Sequence, residues 1–163
     1  TYESSMYEGY APGGVALMID VLTDNRNRTG ADVRNIFSKL GGSMAEPGAV
    51  GWQFHRRGVI LTADGVDEDT IMMAAIDAGA DDVIPNEDGS IEVLTSPDPK
   101  SFEAVKEALE KAGFKPAVAE ITMRAEAETE LAGDDAEKMQ KILDALDSLD
   151  DVQDVYTNAV LPD

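Results

Sequence analysis

Between Val15 and Thr23 the chain reads Val-Ala-Leu-Met-Ile-Asp-Val-Leu-Thr, an almost unbroken apolar stretch rich in β-formers. Its length suits a central strand buried on both faces. Thr29 then offers an N-cap with Asp32 three residues later, and Val33, Ile36, Phe37 and Leu40 recur at helical spacing until Gly41-Gly42 ends the pattern. That predicts a helix whose off-stripe residues, Arg34, Asn35 and Lys39, face solvent. After the turn Glu46-Pro47-Gly48, Val50, Trp52 and Phe54 alternate with Gln53 and His55, which predicts a strand with one wet face.

Gly58 opens a second unit with the apolar run Val59 to Leu61. A helix follows from about Asp67 to Ala78, carrying Met72, Ala75 and Ile76, then a short strand at Val83-Ile84 and a hairpin turn at Asn86-Glu87-Asp88-Gly89. Ile91, Val93 and Thr95 alternate in the next strand. Asp98-Pro99 caps a helix bearing Phe102, Val105, Leu109 and Ala112, and Ala119, Ile121 and Met123 alternate in a last strand. Residues 58–125 therefore read β-α-β-β-α-β, the ferredoxin-like order. Residues 14–57 supply β-α-β-β and residues 134–160 a helix and a strand, with Asp134 or Asp135 as cap and Met139, Ile142, Leu143, Leu146 and Leu149 as stripe. The expected fold class is α+β, with two ferredoxin-like β-α-β-β-α-β domains, the second (58–125) inserted into a discontinuous first (1–57 plus 126–163). One larger mixed sheet is the alternative.

Charge changes this picture in one place. The 163 residues carry 33 acidic against 13 basic side chains, a formal charge of -20, which repels phosphate at long range. Within residues 24–58, however, Arg26, Arg28, Arg34, Lys39, Arg56 and Arg57 face only Asp24, Asp32 and Glu46, a local balance of +3. Cysteine is absent, which excludes disulfides and thiolate chemistry and permits a cytoplasmic location. No stretch approaches the roughly 20 apolar residues of a membrane span, so no membrane partner is expected.

Catalytic sets are hard to assemble. His55 is the single histidine, beside Arg56 and Arg57, with no sequence sign of an orienting partner or nucleophile. The acid pairs Asp81-Asp82, Asp134-Asp135 and Asp150-Asp151 lack EF-hand spacing and read as caps and solvated faces. Gly13-Gly14 precedes a strand and fits no phosphate-loop pattern. The expectation is a protein that is not an enzyme and needs no cofactor. Tyr7 and Tyr10, read as part of a loop over residues 6–14, could stack on bases or on a partner. With Gly13, Gly14, Asn25, Arg26, Asn27, Arg28, Arg34, Lys39, Arg56 and Arg57 they form the candidate nucleic-acid or partner surface, with the arginines in the strand-to-helix turn. Salt bridges within an acidic surface are the plainer explanation of the same arginines.

The stretches YEGYAPGGVALMIDVLTDNRNRT, VRNIFSKLGGSMAEPGAVGWQF, RRGVI and DDVQDVYTNA together resemble the YebC family of bacterial regulators and its mitochondrial relatives, the translational activators of cytochrome c oxidase subunit 1. Ala11 stands where that family commonly has glycine. The resemblance implies two α/β domains preceded by a basic helical domain, with TYESSMYEGY as the linker into the first of them. It implies a regulator of gene expression that binds DNA, with ribosomal RNA or the ribosome as the alternative target and the helical domain as a main contact. A ligand- or protein-sensing role is a further alternative, resting on fold analogy alone.

Overall fold

A computed structural model describes residues 1–62 and 67–162. Along the chain run β1 (Glu3–Ala11), β2 (Val15–Thr23), α1 (Arg26–Leu40), β3 (Ser43–Ala45), a 3-10 turn (Gly51–Gln53) and β4 (Phe54–Thr62). They are followed by α2 (Glu68–Asp77), β5 (Asp82–Pro85), β6 (Ile91–Thr95), α3 (Pro99–Lys111) and β7 (Pro116–Ala125). The chain closes with β8 (Thr129–Glu130), α4 (Gly133–Asp147), β9 (Val152–Thr157) and β10 (Ala159–Val160). The architecture is α+β. Among the described residues no helix is long and apolar enough to cross a membrane.

The chain divides into two compact units, one of residues 1–55 and 125–163, the other of residues 56–124. In the first, the sheet order is β3-β1-β2-β9. The run at 15–23 forms the inner strand it predicts: Leu17, Ile19 and Val21 sit in a core with Val33 and Phe37 of α1 and Met139, Ile142 and Leu146 of α4, while Ala16 and Met18 on the opposite face are also buried. In the second, the order is β5-β6-β4-β7. There Ile60, Val83 and Val93 of the sheet pack with Ile71 and Ala75 of α2 and Phe102, Val105 and Leu109 of α3.

Several local expectations are corrected. Of the expected loop over residues 6–14, residues 6–11 belong to β1, which pairs antiparallel with β2 from Glu3 opposite Thr23 to Ala11 opposite Val15. The reversal falls on Gly13 and Gly14, whose φ angles of 89° and 77° favour glycine. Position 9 of this strand takes glycine because a Cβ there would lie 2.9 Å from both the Phe37 ring and the Ser43 carbonyl oxygen.

The N-cap of α1 is Asn25, not Thr29; its side chain accepts from the Arg28 N–H, so Arg26 and Arg28 lie in the first helical turn rather than before it. Val50 to His55 is not one strand. The 3-10 turn intervenes, and Trp52 projects outward, 64% exposed, instead of sharing a face with buried Val50 and Phe54. α2 turns Ile71 and Ala75 inward, leaving Met72 and Ile76 on its outer side. Finally, α4 has Ala132 at its N-cap without a side-chain bond. Asp134 and Asp135 lie in its first turn, where acidic groups complement the helix dipole.

Candidate nucleic-acid interface

Capping by Asn25 fixes which residues of α1 share a face. With the helix starting at Arg26, Arg26, Gly30 and Arg34 recur four residues apart, and Asn27 lies beside them. Tyr7 of β1 borders this face, its hydroxyl donating to the Arg26 carbonyl oxygen at 3.4 Å. Gly30 permits the approach, since a Cβ there would stand 3.3 Å from the tyrosine oxygen. The result is an open cavity of about 340 Å³ lined by Tyr7, Arg26, Asn27, Gly30 and Arg34, with no carboxylate in its lining.

Both arginines are available to an incoming anion. Among the described residues Arg26 pairs only with Glu3, at 3.9 Å, and the two side chains are 64% and 61% exposed. Exposed ion pairs of that length contribute little. Arg34 is exposed and has no ion pair among the described residues. A second cavity of about 290 Å³, lined in part by Asn25, Arg26 and Asn27, adjoins the first and also contains Glu3 and Asp24.

Asn25 and Arg28, predicted as contacts, are engaged within the fold. Arg28 Nη2 lies 2.9 Å from Asp151 Oδ2 and 3.1 Å from Asp24 Oδ1. The same Asp151 oxygen accepts from the Thr29 hydroxyl at 2.7 Å and from the Thr23 hydroxyl at 3.0 Å. Thr29, Arg28 and Thr23, in that order of effect, hold the Asp151 carboxyl below its ordinary value. This cluster ties the end of β2 and the start of α1 to the residue before β9.

A depressed folded pKa stabilises fully above the unfolded value and is lost as the pH falls through the folded one. Asp151→Asn is therefore expected to lower the melting temperature at neutral pH. The difference from the parent should close as acid protonates Asp151, which melting curves from pH 7 down to about 2 check.

The remaining predicted residues do not join the cavity. Tyr10, 40% exposed, lies on the opposite face of β1 from Tyr7, because side chains alternate along a strand. Gly13 and Gly14 make the hairpin turn at the far end of β2 from α1, and Lys39 lies in the last turn of α1. Arg56 and Arg57 belong to the second unit, where Arg57 pairs with Asp81 at 3.4 Å. His55 meets the exposed Glu126 carboxylate at 2.6 Å. Among the described residues no three potential metal ligands are grouped.

The sequence reading missed Glu8. Only 8% exposed, it accepts backbone N–H groups of Gly48, Val50 and Gly51 at 2.7, 2.9 and 2.6 Å. Burial works to raise its pKa, but the three donors outweigh that and lower it. A lone acid between Tyr7 and Gly9 carries no pattern that would announce this. Gly30 was missed likewise, because a glycine inside a helix reads only as a weak point, and Asp151 reads as a cap or solvated acid because its partners are over 100 positions away.

Residues 2–159 match the sequence family described as "TACO1/YebC second and third domain". The chain belongs to the TACO1/YebC family. It is 74% identical over 162 residues to a "Probable transcriptional regulatory protein" of Thiobacillus denitrificans, covering 99% of this chain and 67% of that protein. A protein of the same name from Laribacter hongkongensis is 59% identical over 160 residues, covering 98% of this chain and 66% of its own length. A crystal structure titled as the conserved hypothetical protein Aq1575 from Aquifex aeolicus superposes with a TM-score of 0.73 at 41% identity, over 99% of this chain and 66% of that one. This TACO1/YebC chain thus spans about two thirds of the length of these relatives.

Proposed function

We propose that this chain is a non-enzymatic regulatory module of a cytoplasmic gene-expression factor, and that the α1 groove is its contact with nucleic-acid phosphate. The observation that carries the reading is the convergence of Arg26, Asn27 and Arg34 with the Tyr7 hydroxyl around one cavity free of carboxylates, in a chain of formal charge -20. Guanidinium and amide donors suit phosphate oxygens, and arginine also stacks on bases. The names of the bacterial relatives favour DNA as the target. The β-α-β-β-α-β order with sheet order β5-β6-β4-β7 supports a ferredoxin-like reading of the second unit, inserted into the first.

One observation favours the ribosome as a second reading. The cationic surface is a small groove on a strongly acidic body, so it holds about two phosphates and grips a long duplex less well than a compact target. Folded RNA offers closely spaced phosphates on a shaped surface, to which so local a site is better suited.

The test is an NMR titration of the labelled chain with a short random DNA duplex and with a ribosomal RNA hairpin. Shifts are expected to concentrate on Tyr7, Asn27, Gly30 and the two arginines, more strongly for the preferred target. Shifts confined to other surfaces for both ligands would remove the groove from the account.

A further inference from the structure

The outer side of α2 carries a feature that neither the core nor the α1 groove uses. Ile71 and Ala75 face the core of the second unit, but Met72, Met73 and Ile76 stand 38%, 68% and 50% exposed. At 3.6 residues per turn, Ile76 is one turn from both methionines, so the three form one outward apolar strip. The strip is rimmed by acid. Glu68 lies to one side, Asp77 to the other and Asp69 in line with it toward the helix start, all three exposed, and α2 contains no basic residue.

We propose that this face of α2 docks a basic amphipathic segment of a partner protein. Two or three apolar side chains of the partner would seat against Met72, Met73 and Ile76, and its lysine or arginine side chains would face Glu68, Asp69 and Asp77. Methionine suits such a surface, because its unbranched, polarizable side chain adapts to differently shaped apolar partners. Charge selects among the occupants. A second copy of this chain would bring the same three carboxylates against themselves, within two bodies of charge -20. Nucleic acid would meet those carboxylates with its phosphates. A basic amphipathic helix satisfies both the strip and the rim, which is the helix-in-groove mode of peptide recognition.

The proposal is independent of the α1 groove, and its test leaves α1 untouched. The labelled chain is titrated with a synthetic amphipathic helix carrying leucine on one face and lysine on its flanks, and with the same peptide carrying glutamate in place of lysine. The expected result is a set of shifts centred on Glu68–Asp77 with the lysine peptide and none with the glutamate peptide. Met73→Ser with Ile76→Ser should weaken the lysine peptide by about tenfold. Both substitutions are at exposed positions, and an unchanged thermal midpoint checks that the fold survives. Failure of the lysine peptide to bind, shifts scattered over other acidic residues, or an affinity unchanged by the double substitution overturns the proposal. So does a dimer of the parent chain, seen by sedimentation, that the double substitution dissolves.

Discussion

Glu8→Ala is expected to destabilise the first unit by about 3 kcal/mol, read as a lower urea midpoint with an unchanged slope. The carboxylate is buried and is the acceptor for three backbone donors at 2.6 to 2.9 Å. Alanine would leave those donors without their acceptor. Val50 is completely buried, so its N–H has no route to water, whereas Gly48 is exposed and can rehydrate. The loss is therefore large but smaller than three full hydrogen bonds to a charge. Because the folded pKa lies below its ordinary 4.5, the stabilisation is complete above that value and disappears as the pH falls through the lower folded one. Glu8→Gln should flatten that acid dependence. An unfolding free energy within roughly 0.5 kcal/mol of the parent for Glu8→Ala would mean that the loop donors find other acceptors.

Arg26→Glu combined with Arg34→Glu is expected to weaken nucleic-acid binding roughly 10- to 100-fold at low salt, with little effect on folding. Both side chains are exposed, and the one ion pair lost among the described residues, to Glu3, is long. The reversal places two carboxylates where phosphate would sit. Lys138→Glu with Lys141→Glu makes the same total charge change on α4, outside the cavity lining, and reports the general effect of added negative charge. An equal loss from Lys138→Glu with Lys141→Glu would assign the effect to net charge rather than to the groove.

The long-range scaffold was legible wherever one segment's own pattern decided its state. The apolar run at 15–23 became the inner strand, Asp98-Pro99 capped α3, and the stripe of Met139, Ile142 and Leu146 faced the core. Misreadings arose where a distant partner decided. The glycine and tyrosine content of residues 6–14 suggests a loop until β2 and β3 are present to pair with residues 3–11 on both sides. Residues 50–53 alternate like a strand, yet Glu8 draws their backbone donors into a turn. On α2 the apolar residues exceed what one face can bury, and the sequence alone does not say that Ile71 wins over Met72 and Ile76.

The candidate site was legible in composition but not in membership. The excess of arginine after β2 falls in the first turns of α1, beside the cavity. Which arginines remain available depended on Asp151, since it engages Arg28 and leaves Arg26 and Arg34 beside the cavity. Neither Gly30 as the floor of that cavity nor Tyr7 as its wall could be inferred before β1 was known to be a strand next to the helix start.

The most direct test of the central claim is the salt dependence of binding by this chain to ribosomes and to random duplex DNA, measured for the parent and for the Arg26→Glu, Arg34→Glu variant. The parent is expected to bind at least one target, with a slope equivalent to about two phosphate contacts that the variant loses. Identical slopes for parent and variant on both targets would contradict it, and the groove would then not be where this chain meets nucleic acid.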